Sequence, residues 1–185
     1  MRAAQAEASR GEAFSREIQM RPTVAAWLRD QGMLVKTEVN LCNAYCDLVG
    51  CALVPEMVER RERRRGEWKP LHSRLVAVEL KLSRVADALH QAYNNLLAVD
   101  ESYVAFPRDM AQHVAARRGR WSLWDRYWVH GIGLLAVDDG ACSVLIPVRP
   151  NAEADPRQLG RQVEKFWRER KALPARLRQL CEETW

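Results

Sequence analysis

The sequence has no apolar run approaching the ~18 residues that a membrane-spanning helix needs, and its opening, MRAAQAEASRGEAFSRE, has no apolar signal stretch. Both absences point to a cytoplasmic protein with no membrane partner. Lysine is scarce: 5 Lys stand against 24 Arg within a net charge of +5. The arginine bias makes each lysine worth asking about, while the mild basicity suits a polyanionic partner without identifying one. Cysteines are few and odd in number at five. Cys46 and Cys51 lie in apolar runs, where a thiol acts as a small hydrophobe. Cys42 and Cys46 lack a second Cys or His pair at zinc spacing. The four His (72, 90, 113, 130) show no ligand spacing either. No nucleophile signature is present, nor any internal repeat. The lack of a helix-turn-helix or zinc-finger reader argues against strong sequence specificity.

What is present is enough for one well-buried core: 185 residues, 48% hydrophobic and 29% charged. Val24, Trp27 and Leu28 have helical spacing and Gly32 is a stop, with Pro22 either kinking this segment or opening a second helix. Residues 33–41 and 45–54 read as two strands of a hairpin, and 75–82 as a third strand after a charged loop. An amphipathic helix follows at 83–100, with Ser83 as N-cap, then a buried strand at 102–107 and a helix at 108–119. A hairpin around Asp139-Gly140 spans 131–148, and helices at 155–173 and beyond Pro174 close the chain. A strand–helix–strand crossover requires a parallel pair, so the expected fold is α/β with a mixed sheet flanked by helices. The expected domain spans 1–150, and 151–185 forms a helical extension packed on it.

The third strand, LVAVELKLS, carries Glu79 and Lys81 within an apolar run. Strand alternation aims both at one face, with Val76, Val78, Leu80 and Leu82 on the other. Two other Glu-x-Lys triplets, Glu67/Lys69 and Glu169/Lys171, lie in a charged loop and on a helix, where such spacing joins nothing. Asp47 likewise interrupts the apolar strand AYCDLVGCALV. If the two strands pair, Asp47 faces Glu79. Two adjacent carboxylates repel unless one is protonated or a cation lies between them. Hard oxygen donors with room for water suit Mg²⁺, with Mn²⁺ as substitute. Lys81 would then stand where an ammonium can orient a nucleophile or offset phosphoryl charge. The plainer alternative is a buried ion-pair network.

Glu17 on the first helix, Asp47 in the second strand and Glu79-Leu80-Lys81 in the third resemble the PD-(D/E)xK nucleases, over a core of residues 12–107. The resemblance implies a restriction-endonuclease-like αβββαβ core and Mg²⁺-dependent hydrolysis of DNA. It implies that Asp47, Glu79 and the backbone carbonyl of Leu80 hold the metal, that Glu17 reaches it through a water, and that Lys81 assists the attacking water. Gln91 matches the helix glutamine of the RecB-like branch, although Asn95 stands where that branch usually has Tyr. Cys46 replaces the Pro that would precede Asp47, and Glu38 is a further carboxylate that could complete the site. Many small members of that superfamily work as homodimers or as parts of larger defence, repair or mobile-element assemblies. The alternatives are an inactive nucleic-acid-binding or assembly module on the same fold, and an RNA-directed nuclease.

The loop VERRERRRGEWK supplies Arg60, Arg61, Arg63, Arg64, Arg65 and Lys69 as candidate phosphate contacts next to the metal-bearing strands. The aromatic segment RWSLWDRYW could stack unpaired bases, but fits packing better.

Overall fold

Pro22 decides where the first helix begins. Lacking an N–H and locked in φ, it suits a first turn and no later position. The computed structural model accordingly has a 3-10 turn at Glu17–Met20 that runs into α1, Arg21–Asp30, with Pro22 in its first turn. Gly32, at φ +76°, turns the chain out of the helix, a conformation that costs glycine little. The structure describes residues 14–41, 44–52, 74–117 and 130–149, with single positions between 151 and 166.

Strands β1 (Leu34–Leu41), β2 (Ala44–Ala52) and β3 (Arg74–Leu80) follow α1. Helix α2 (Val85–Asn95) crosses to β4 (Glu101–Pro107), and α3 (Arg108–Ala116) leads toward β5 (Gly133–Asp138) and β6 (Ala141–Ile146). The strands form one six-stranded sheet in the order β1-β2-β3-β4-β5-β6. Pairs β3–β4 and β4–β5 are parallel and the rest antiparallel. The expected mixed sheet with flanking helices is therefore present. Among the described residues no helix is long and apolar enough to cross a membrane.

The sheet is buried on both faces. On one, Met20, Val24 and Leu28 pack on Leu48, Val76, Val78 and Leu80. On the other, Ala88, Leu89 and Ala92 of α2 pack with Val104, Phe106 and Leu134. A third cluster on that second side joins Val39, Leu41, Cys46, Val49 and Ala77 to Phe166 of the chain's C-terminal part. Burying a large apolar side chain contributes about 1.5–3 kcal/mol, so these layers fix the strand ends that carry the charged residues.

Two local departures from regular geometry matter for the site. The β1–β2 ladder pairs Thr37 with Leu48 and Val39 with Cys46, but skips the level of Glu38 and Asp47. Glu38 sits at φ +53°. Past this level both strands reverse faces: Leu48 packs with the α1 layer, whereas Val39 and Cys46 pack in the Phe166 cluster. The second departure is at α2. Its N-cap is Arg84, not the expected Ser83, in left-handed conformation (φ 49°, ψ 55°) and without a side-chain cap hydrogen bond. The chain must turn sharply from β3 into the helix, and a non-glycine residue in this region costs about 1–2 kcal/mol.

Candidate metal centre and cleft

The site forms where β2 parts from β3. Their ladder runs from Ala52/Arg74 to Leu48/Val78 and stops there. At the next level the Asp47 carboxylate takes over: Leu80 N–H donates to Asp47 Oδ2 at 2.8 Å. The Cys46 thiol, buried behind it, donates to the carbonyl of Leu48 at 3.1 Å and approaches that of Val78 at 3.5 Å. On its other edge β3 stays bound to β4 through Glu79/Val104 and Leu80/Ala105, and Lys81 N–H donates to the Ala105 carbonyl at 3.0 Å. The sheet thus opens on one side of β3 only.

Lys81 lies one residue past the end of β3, so strand alternation does not govern its side chain, and the expected shared face with Glu79 is not kept. Its ammonium donates to the Leu80 carbonyl at 3.1 Å and lies 3.7 Å from Glu17 Oε2 and 4.0 Å from Asp47 Oδ2. The lysine side chain is 15% exposed. Glu79 turns the other way, toward α2. It is 2% exposed, and its Oε1 accepts a 2.7 Å hydrogen bond from Asn95 Nδ2.

Burial pushes the Glu79 carboxyl up to about 7, and the nearby Asp47 charge adds to the rise against the opposing pull of the Asn95 hydrogen bond and the Lys81 charge. Burial likewise holds the Cys46 thiol well above its ordinary value, with the Glu79 charge as a further cause. Cys46 is therefore a packing residue and hydrogen-bond donor, not a nucleophile.

A cleft of about 660 Å³ opens beside this centre, lined by Glu17, Lys81, Leu82, Ser83, Arg84, Asp87, His90 and Gln91. The structure therefore brings Glu17, Lys81 and Gln91 together although they come from the turn before α1, the end of β3 and the middle of α2. Glu38 goes elsewhere: its side chain is 68% exposed and pairs with Arg21 at 3.1 Å. The arginine-rich stretch with Arg60, Arg61, Arg63, Arg64, Arg65 and Lys69, and the aromatic segment at 120–128, lie outside the described residues.

Three contributors escaped the sequence reading. Arg84 and His90 line the cleft as ordinary surface residues, and nothing in the sequence marks them. Asn95 did leave a signal. It continues the apolar stripe of Ala88, Leu89 and Ala92 into the buried side of α2, and a polar residue in such a stripe calls for a partner.

Among the described residues no three His, Cys, Asp or Glu side chains converge into a complete metal cage. The oxygens on offer at this end of the sheet are two carboxylates, Asp47 and Glu79, the Leu80 carbonyl, and Glu17 beyond Lys81. All are hard donors. Mg²⁺ is usually held by one or two carboxylates, with waters and substrate phosphates filling its shell. The donor chemistry is of the kind that Mg²⁺ or Mn²⁺ accepts.

The chain matches no family model and no curated protein. Among solved structures it is similar to SPO1766, a protein of unknown function from Silicibacter pomeroyi, with 20% identity over 82% of this chain and 85% of that one and a TM-score of 0.50. A likeness at that identity bears on the fold alone.

Proposed function

We propose that this chain is a Mg²⁺-dependent deoxyribonuclease of the PD-(D/E)xK type, built on a restriction-endonuclease-like core. The observation that carries this reading is the parting of β2 from β3, with Asp47, the Leu80 carbonyl, Lys81 and Glu17 within about one side-chain length of each other beside an open cleft. Asp47, Glu79 and the Leu80 carbonyl would hold the cation, and Glu17 would reach it through a water. When bound, the cation supplies Lewis-acid stabilisation of the charge that builds on the phosphoryl oxygens.

The remaining work falls to the chain's own groups. Lys81 has three N–H donors, of which one goes to the Leu80 carbonyl. The others can orient an attacking water or bind a phosphoryl oxygen. Glu17 and Asp47, 3.7 and 4.0 Å away, hold the ammonium in place. Gln91 and Arg84 lie along the cleft, where an amide and a guanidinium suit phosphate and sugar contacts. The closed edge of β3 against β4 gives these groups a rigid base.

One observation favours the inactive-module alternative: the Lys81 ammonium already balances Glu17 and Asp47 and binds the Leu80 carbonyl. A cleavage panel separates the readings. DNA and RNA of several structures are incubated with Mg²⁺, Mn²⁺ or EDTA. The nuclease reading expects DNA cleavage with either metal and none in EDTA. Binding of DNA without cleavage of any substrate would leave the module, and cleavage of RNA alone would leave the RNA-directed enzyme.

The arginine-rich stretch gives a separate expectation. Replacing Arg61, Arg63, Arg64 and Arg65 with Gln removes up to four phosphate contacts, each contributing about 0.9 to the log–log salt dependence of duplex binding. The slope should flatten by roughly 3 to 4. Affinity should fall alike for all sequences, and cleavage at saturating DNA should persist. An unchanged slope in a fluorescence-anisotropy salt titration would remove these arginines from the DNA path.

A further inference from the structure

The Glu79–Asn95 pair is the most enclosed polar contact at this end of the sheet. The two residues are 2% and 1% exposed, come from β3 and α2, and meet at 2.7 Å. A carboxylate in an apolar interior has neither water to hydrate it nor a lattice of solvent to fix its orientation. The short contact from the Asn95 amide, beside a second side-chain contact from the Cys46 thiol, therefore decides which way it points. We infer that Asn95 is the positioning residue for Glu79, through which helix α2 sets the affinity of the centre for a divalent cation.

This inference rests on the metal-centre reading above and adds to it a residue outside the ligand set. The geometry favours it in three respects. Asn95 Nδ2 donates to Oε1 of Glu79 at 2.7 Å, the shortest side-chain contact given for that carboxyl. Asn95 ends α2, so its side chain is anchored by the packing of Ala88, Leu89 and Ala92 and has little freedom of its own. The same helix presents Asp87, His90 and Gln91 to the cleft, so the part that grips the ligand also lines the substrate's path. Partners that orient a metal ligand in this way typically alter metal affinity by about 10- to 100-fold when removed.

The test is Mn²⁺ binding by calorimetry on the full chain, with Asn95→Leu, which keeps the branched shape and removes the donor. Asn95→Ala, which removes the donor and leaves space instead of strain, carries the same expectation should the leucine variant not fold. Circular dichroism and denaturant titration check that each is native. The expected result is Mn²⁺ affinity reduced by about 10-fold or more, with the metal concentration for half-maximal cleavage raised to match and KM for DNA unchanged at saturating metal. A merely structural role would lower stability and leave the affinity of the folded fraction as it was. Unchanged Mn²⁺ affinity in a folded variant overturns the inference and leaves the metal centre standing. Failure of the parent chain to bind Mn²⁺ overturns both.

Discussion

Lys81→Ala should lower single-turnover DNA cleavage by about 10²- to 10³-fold, the usual cost of removing one donor aimed at developing charge. The ammonium sits among Glu17, Asp47 and the Leu80 carbonyl but outside the hydrophobic clusters. The variant should therefore fold, and its DNA affinity should stay within a few-fold of the parent. Lys81→Arg should fail to restore the rate, because a planar guanidinium cannot occupy the same point as a compact ammonium. Single-turnover kinetics at saturating Mg²⁺ and DNA isolate the chemical step from binding. Parental rates in Lys81→Ala would reject the mechanism and favour the ion-pair network.

The second large effect is thermodynamic and needs no substrate. Without metal, Glu79 keeps its proton in the folded chain up to about pH 7, against an ordinary value of 4.5. Between those values the folded state binds more protons than the unfolded one, so stability falls as pH rises. A gap of roughly 2.5, at about 1.4 kcal/mol for each, gives a loss of roughly 3 to 4 kcal/mol, complete above pH 7. Glu79→Gln should remove this slope, since a neutral amide has no proton to lose and its oxygen can still accept from Asn95. Urea denaturation in EDTA at pH 5 and pH 8 reads the difference directly. At pH 8 the Gln variant should match or exceed the parent in stability. An equal pH slope in both proteins would show that Glu79 is not the buried group responsible.

These expectations draw on residues that the sequence exposed to unequal degrees. Asp47 and Glu79 were legible because a charge inside an apolar strand has a cost that something must offset. Pro22 was legible because only a first turn tolerates it. The reversal of faces at Glu38 and Asp47 was not, since period-two reasoning assumes an unbroken ladder, and the break here lies in three-dimensional pairing. The same assumption placed Lys81 beside Glu79. The strand ends at Leu80, and beyond it the side chain follows its ion pairs. Asn95 was visible only as a polar residue in an apolar stripe, and its contact with Glu79 required knowing that α2 ends over β3. Gln91, by contrast, lies on the cleft for the simple reason that helical spacing from Asp87 carries it there.

The hydrogen bond from Leu80 N–H to Asp47 Oδ2 has a use beyond holding the strands. One backbone proton is bound to a carboxylate proposed as a ligand, while its neighbours at Val78 and below belong to ordinary ladder pairing. Its resonance in a nitrogen-edited NMR spectrum is therefore an internal gauge of the centre. Charge drawn from Asp47 by a cation should weaken the bond, move that one signal and speed its exchange with solvent, while the strand interior stays silent. A cation at the proposed site would thus be reported through the main chain, with no label attached and no side chain altered.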